Sequence, residues 1–124
     1  PYVLNNLGVL YHLAGEYIQA NRLFEDALAY ARQSGMTRIE AYILCSIGDL
    51  YAELNEEAAA QDAYRQAQTI ARKVNDHYLL FYANLVEAAQ ARRMGEIQRS
   101  NDLLNVCRTA MPPWQEISTT SSPV

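Results

Sequence analysis

Apolar residues recur at helical spacing along most of this chain. The first stretch has apolar or small side chains at Leu4, Leu7, Leu10, Tyr11 and Ala14. After a glycine, a second stretch has them at Ala20, Leu23, Phe24, Ala27, Leu28 and Ala31. Spacings of three and four residues place such side chains on one face of a helix. The pattern therefore predicts two amphipathic helices joined by a tight turn.

The same pattern returns 40 residues later. Tyr2 aligns with Tyr42, Gly8 with Gly48, Tyr11 with Tyr51, and Ala27 with Ala67. A weaker third copy follows, with Tyr82, Gly95 and Glu96 standing 80 residues after Tyr2, Gly15 and Glu16. Self-similarity at one period is typical of stacked repeats. We predict an all-α fold of three antiparallel helix–turn–helix repeats, covering about residues 1–40, 41–80 and 81–111.

The glycines divide into two roles. Gly15 ends the first helix, and its equivalents in the other repeats are Asn55 and Gly95. After glycine, asparagine is the residue that best tolerates a left-handed backbone, so this substitution indicates that conformation at all three positions. Gly8 and Gly48 instead lie in mid-helix, where glycine costs roughly 0.5–1 kcal/mol relative to alanine. We therefore predict close helix–helix approach at these two positions, against the small residues Ala20 and Ala60 of the antiparallel helix.

Bulk properties narrow the class of protein. The chain has 124 residues and a net charge of −4, so neither direct binding to nucleic acid nor binding to an acidic membrane is expected. No apolar run approaches the roughly 18 residues of a membrane span. Cys45 and Cys107 are far apart, which favours two unpaired thiols in a reducing compartment, the cytoplasm. Because the chain opens at Pro1 inside an apolar pattern, we expect it to be part of a longer protein.

Candidate catalytic chemistry is sparse. His12 and His77 lack the spacing to a cysteine that a zinc site requires, and there is no glycine-rich phosphate loop. Cys45 and His12 would sit about seven residues apart in height on stacked helices, or roughly 10 Å at 1.5 Å per residue. We therefore predict no enzymatic activity, no metal and no cofactor.

The repeats resemble the tetratricopeptide repeat. The segments "NLGVLYHLAGEYIQANRLFEDAL" and "SIGDLYAELNEEAAAQDAYRQAQ" follow its motif, whereas "LVEAAQARRMGEIQRSNDLLNVC" is degenerate, with Glu87 and Ala91 in place of leucine and tyrosine. The resemblance implies a right-handed superhelix. The usual unit has about 34 residues, so we expect the extra length at the end of each second helix. Repeats of this length resemble those of bacterial transcription regulators of the maltose-activator kind, and also those of Leu-Gly-Asn-class G-protein scaffolds.

In this family the first helix of each repeat lines an inner groove. The resemblance therefore implies these groove residues: Tyr2, Asn5, Asn6, Val9, His12, Tyr42, Cys45, Ser46, Asp49, Glu53, Tyr82, Leu85, Arg92 and Arg93. Among the charged ones we predict at least one ion pair between neighbouring repeats. We also predict that the three tyrosines form a row along the groove rim, unless they only pack between helices, and that the hydroxyl of Tyr42 reaches solvent or a polar group.

The predicted function is binding of a protein or peptide ligand, as the sensing part of a larger bacterial signalling or transcription regulator. The alternatives are a self-association module that forms a homo-oligomer and a scaffold that binds peptides in its groove. Residues 112–124 are rich in proline, serine and threonine and are predicted to form a flexible tail or linker. Its Trp114 either folds back on the last helix or docks on a neighbour.

Overall fold

A computed structural model describes residues 2–109 as six α-helices. They are α1 (Tyr2–Leu13), α2 (Tyr17–Gln33), α3 (Thr37–Glu53), α4 (Glu57–Lys73), α5 (His77–Arg93) and α6 (Ile97–Thr109). Each helix packs against the next, which makes three helical hairpins, and there is no strand among the described residues. The predicted all-α fold of three helix–turn–helix repeats is confirmed. The predicted tail at residues 112–124, including Trp114, lies outside the described residues.

All five turns between the helices are built in the same way. The central residue of each turn has a positive φ, and these residues recur every 20 positions: Gly15, Gly35, Asn55, Asn75 and Gly95. In the first turn the Glu16 N–H donates to the Tyr11 carbonyl at 2.9 Å and the Gly15 N–H donates to the His12 carbonyl at 3.0 Å. This pair of hydrogen bonds is the Schellman motif, which satisfies the last carbonyls of a helix. The predicted left-handed role of Gly15, Asn55 and Gly95 is confirmed.

The turns at Gly35 and Asn75 separate the three hairpins. Helices α2, α3, α4 and α5 each have 17 residues. The second and third hairpins begin at Thr37 and His77, four residues before the predicted boundaries. The extra length was expected at the end of each second helix, whereas the structure divides it between two helices. A left-handed residue stops the second helix after 17 residues, and the residues that follow it lengthen the next first helix to 17 residues as well.

Aromatic rings pack against the two mid-helix glycines. A Cβ atom added to Gly48 would lie 2.6 Å from Cε1 of Tyr64, and one added to Gly8 would lie 2.5 Å from Cε1 of Phe24. Both rings are at most 1% exposed. Close approach is therefore the reason for the two glycines, but the prediction of an alanine partner was wrong. The ring four residues further along the second helix fills the space that a side chain would need.

The third repeat departs from the motif because it holds a buried polar network. Glu87 occupies the position of Leu7 and Ile47, yet it is only 4% exposed. Its Oε1 accepts a hydrogen bond from Nε2 of Gln68 at 2.7 Å, and its Oε2 pairs with the guanidinium of Arg99 at 2.5 Å. Burial of a carboxylate is tolerated when it is paired and hydrogen-bonded. These partners explain how a glutamate stands at an apolar position of the motif.

The stacking of the hairpins creates an inner face. Helix α3 contacts both α1 and α5, so the first helices of the three hairpins form one closely spaced row. Within the described residues, the second helices α2, α4 and α6 do not contact one another. A stack that is tight along one row and splayed along the other curves toward the tight row. The faces of α1, α3 and α5 therefore line the concave side.

Candidate functional site

The residues predicted to line the groove fall into three classes of exposure. Exposed ones are Tyr2, Asn6, Glu53, Tyr82, Leu85, Arg92 and Arg93. Half-buried ones are Asn5, Val9, His12, Tyr42, Ser46 and Asp49. Cys45 alone among them is buried.

Cys45 is a correction to the predicted groove. Its side chain is 1% exposed and belongs to the hydrophobic core. Burial, with a smaller contribution from the nearby carboxylate of Asp49, raises the pKa of the Cys45 thiol to about 12. The thiol is therefore neutral near pH 7 and is available neither to a partner nor as a nucleophile. Position 45 lies near Tyr82 of α5, in the core and not in the groove.

An aromatic pair lies at one end of the groove. The rings of Tyr42 and Tyr82 are 5.2 Å apart between centroids and inclined by 48°. Burial is the main cause that raises the pKa of both phenols, which fits rings that are partly sunk into the surface. Tyr2 lies at the open edge of the stack and is 56% exposed. Two of the three tyrosines thus form the predicted row, and the position of the Tyr42 hydroxyl stays a prediction.

A cavity lies at the opposite end of the groove, which we call the Asp49 pocket. It has a volume of about 450 Å³ and lies among α1, α2, α3 and α5. It brings together six of the predicted groove residues: Val9, His12, Ser46, Asp49, Glu53 and Arg93. Tyr42 and Asp49 are seven residues apart on α3, so the aromatic pair and the pocket are separated by roughly 10 Å.

Asp49 forms the floor of this pocket. Its Oδ1 accepts a hydrogen bond from the hydroxyl of Tyr64 at 2.5 Å and a longer one from Nε2 of Gln90 at 3.4 Å. Burial raises the pKa of the Asp49 carboxyl even though both hydrogen bonds, and the charges of His12 and Arg93, act to lower it. The carboxylate is therefore poorly solvated and only partly compensated by its neighbours.

Glu53 lies one helical turn further along α3, at the rim of the pocket. Its Oε1 accepts a hydrogen bond from the hydroxyl of Tyr17 at 3.3 Å, and its Oε2 is 3.9 Å from a guanidinium nitrogen of Arg93. This contact confirms the predicted ion pair between neighbouring repeats. Both side chains are substantially exposed, 64% for Arg93 and 40% for Glu53, so the pair stabilises the fold by less than about 1 kcal/mol.

Sequence reasoning missed three residues of the site. Tyr17 lines the pocket from the first turn of α2, and its ring contacts that of His12 at 5.8 Å between centroids. Tyr64 and Gln90 hold the Asp49 carboxylate from α4 and α5. Gln90 carried a visible signal, because it is a polar residue at the position that Leu10 and Leu50 occupy in the other repeats.

Comparison with known families decides the class of this architecture. A family described as "Tetratricopeptide repeat" matches residues 2–73, more than half of the chain. The chain belongs to the tetratricopeptide repeat family. Tetratricopeptide repeats generally mediate contacts between proteins, and the family is typically a non-enzymatic interaction module. The matched range covers α1 to α4, and the third hairpin of this tetratricopeptide repeat protein repeats their turn geometry outside it. No curated protein and no solved structure matches the chain significantly.

Between Tyr2 and Thr109, no group of three or more His, Cys, Asp or Glu side chains is placed to hold a metal ion. In the same part of the chain, no helix combines the length and the apolar character needed to cross a lipid bilayer.

Proposed function

We propose that this tetratricopeptide repeat domain binds an extended segment of a partner protein along the inner face of α1, α3 and α5. The observation that carries the proposal is the juxtaposition on this face of an aromatic pair, Tyr42 and Tyr82, and the Asp49 pocket. Exposed aromatic rings are common anchors of protein interfaces. A concave pocket with a few converging polar groups is the usual form of a ligand site.

We further propose that the domain is the sensing or interaction part of a larger bacterial signalling or transcription regulator that acts in the cytoplasm. The 40-residue repeat with helices of 17 residues supports this context through its resemblance to regulator repeats. The two free, buried thiols Cys45 and Cys107 fit a reducing compartment.

Selection of peptides tests the binding proposal. A random peptide library displayed on phage is selected against the immobilised domain, and the affinities of enriched peptides are measured by fluorescence anisotropy. Ser46→Arg places a long side chain at the pocket wall. Thr69→Arg is the matched control, because both hydroxyls bond to the carbonyl four residues earlier, but Thr69 lies exposed on α4.

We expect Ser46→Arg to weaken binding of the selected peptides by at least tenfold, which is about 1.4 kcal/mol, and Thr69→Arg to leave it unchanged. Failure to enrich any peptide, or equal affinities for the two variants, would contradict binding at the inner face.

Self-association is a second candidate, favoured by the outer face of α1. Val3 and Leu10 are 77% and 63% exposed, whereas the equivalent Ile43 and Leu50 are fully buried beneath the preceding hairpin. We propose a second copy of the chain as the cover for this face. Sedimentation velocity at several concentrations should then show a dimer that Leu10→Asp dissociates. A monomer at all concentrations would rule this candidate out.

A further inference from the structure

The Asp49 pocket has a charge and a shape that select one kind of ligand group. We propose that it receives an arginine side chain of the bound segment, so that Asp49 and Glu53 together form an arginine-recognition site. The inference rests on the proposed function, since it names the chemistry that a partner segment would carry.

The charge in the pocket favours a cation. Asp49 and Glu53 are four residues apart on α3, so their side chains are neighbours on one helix face, with about 5–6 Å between their Cβ atoms. Arg93 pairs with Glu53 only loosely, at 3.9 Å, and is largely exposed. Both hydrogen bonds to Asp49 go to Oδ1, which leaves Oδ2 to accept from a ligand. A partly compensated carboxylate in a concave site gains from a new cationic donor.

The walls of the pocket suit an alkyl chain that ends in a planar cation. Val9 and the exposed Leu13 supply apolar surface for methylene groups, and the hydroxyl of Tyr17 donates to Glu53. A guanidinium can stack on an aromatic ring and can donate to two carboxylates at once through its rigid fork of N–H groups. A lysine ammonium is a point charge that does not reproduce this geometry. The pocket therefore favours arginine over lysine, and it disfavours an acidic side chain.

Arg93 would compete with a ligand cation for the carboxylate of Glu53. Its guanidinium is the group that already approaches Glu53 from α5, across the gap between neighbouring repeats. A ligand arginine that reaches both carboxylates would displace this weak contact. Removing the charge of Arg93 should therefore strengthen binding of a cationic ligand, which is a gain of affinity that damage to the fold would not produce.

The test is an NMR titration of the ¹⁵N-labelled domain with N-acetyl-arginine amide. N-acetyl-citrulline amide, which has nearly the same shape without the charge, is the matched control ligand. A ligand of about 15 non-hydrogen atoms at ordinary efficiency binds with a Kd on the order of 1 mM, so titration to about 20 mM is decisive. We expect saturable shifts of the amides of Asp49, Glu53 and Gln90 with the arginine compound and none with the citrulline compound.

Variants assign the effect to the pocket. Asp49→Asn keeps an oxygen for the Tyr64 hydroxyl and Glu53→Gln changes an exposed residue, so both should fold, and each should weaken arginine binding by roughly tenfold. Arg93→Gln should strengthen it by about two- to fivefold. Asp62→Asn, on the exposed face of α4, should leave it unchanged.

Each failure has a distinct meaning. Equal binding of the two compounds, or no shifts at the pocket, would overturn the arginine-recognition site. If phage-selected peptides still bind the inner face but carry no arginine requirement, the proposed function stands and this inference alone is wrong. If no peptide binds the inner face while the arginine compound does, the inference holds for the pocket and the peptide-binding function is wrong.

Discussion

Replacing Gly48 with alanine separates two opposing effects of a side chain in the middle of α3. Alanine is the better helix former by about 1 kcal/mol, so helix propensity alone predicts a more stable protein. The packing predicts the reverse. The new Cβ would meet Cε1, Cδ1 and Cζ of Tyr64 at 2.6, 2.8 and 2.9 Å, all closer than real Cβ contacts allow.

The ring of Tyr64 has little freedom to retreat. It is 1% exposed, and its hydroxyl is held by Asp49 at 2.5 Å. Moving the ring would stretch this hydrogen bond and disturb the core between α3 and α4. Overpacking of this kind costs about 1–3 kcal/mol, so we expect Gly48→Ala to lower the free energy of unfolding by up to about 2 kcal/mol net of the gain in propensity.

Urea denaturation followed by circular dichroism measures the effect, and a double-mutant cycle isolates its cause. In a Tyr64→Leu background the ring is absent, so Gly48→Ala should become neutral or stabilising. A higher melting temperature for Gly48→Ala in the natural background would refute the packing argument. An equal loss in both backgrounds would show that Tyr64 is not the partner.

Three further predictions concern charged groups. Asp76 caps α5, and its pKa is lowered chiefly by the hydrogen bond that it accepts from the Leu79 N–H. In urea titrations Asp76→Ala should therefore lower the free energy of unfolding by about 1 kcal/mol above pH 3.8, and by progressively less as the pH falls. Glu56 at the equivalent turn makes no side-chain cap, so Glu56→Ala should have almost no effect, and equal losses would contradict the role of the cap. Arg99→Ala should cost about 3 kcal/mol, because it leaves the buried carboxylate of Glu87 without its cation, and unchanged thermal denaturation would contradict the buried pair. Burial raises the pKa of Asp49 above its ordinary value of 3.8. As the pH rises above 3.8, the natural protein should therefore lose stability relative to Asp49→Asn. Parallel curves of stability against pH for the two proteins would show that this shift is absent.

The repeat architecture was predictable because residues that tolerate a left-handed backbone recur at the same position of each repeat. Gly15, Asn55 and Gly95 mark turns that only a left-handed residue can make, and the helical spacing of apolar residues is unambiguous. The turns at Gly35 and Asn75 carry the same signal, but comparison at a 40-residue period set the repeat boundary by similarity of side chains. The 20-residue recurrence of left-handed positions would have located both turns.

The site was less predictable, because exposure depends on neighbours in the stack. Position 45 and position 85 are equivalent in sequence, yet Cys45 is 1% exposed near Tyr82 of the third hairpin, whereas Leu85 is 41% exposed in the last hairpin that the structure describes. The partners of Asp49 lie on two other helices, 15 and 41 residues away along the chain. Periodicity assigns a residue to a face, but it does not say which side chain meets it from another helix.

The position of a bound peptide on the domain distinguishes binding at the inner face from binding elsewhere. A phage-selected peptide carrying a spin label is added to the ¹⁵N-labelled domain, and paramagnetic broadening is measured at each backbone amide. We expect broadening along α1, α3 and α5, strongest between Tyr42 and Asp49, with α2, α4 and α6 largely unaffected. Broadening centred on α4 and α6, or at the outer face of α1 alone, would contradict it.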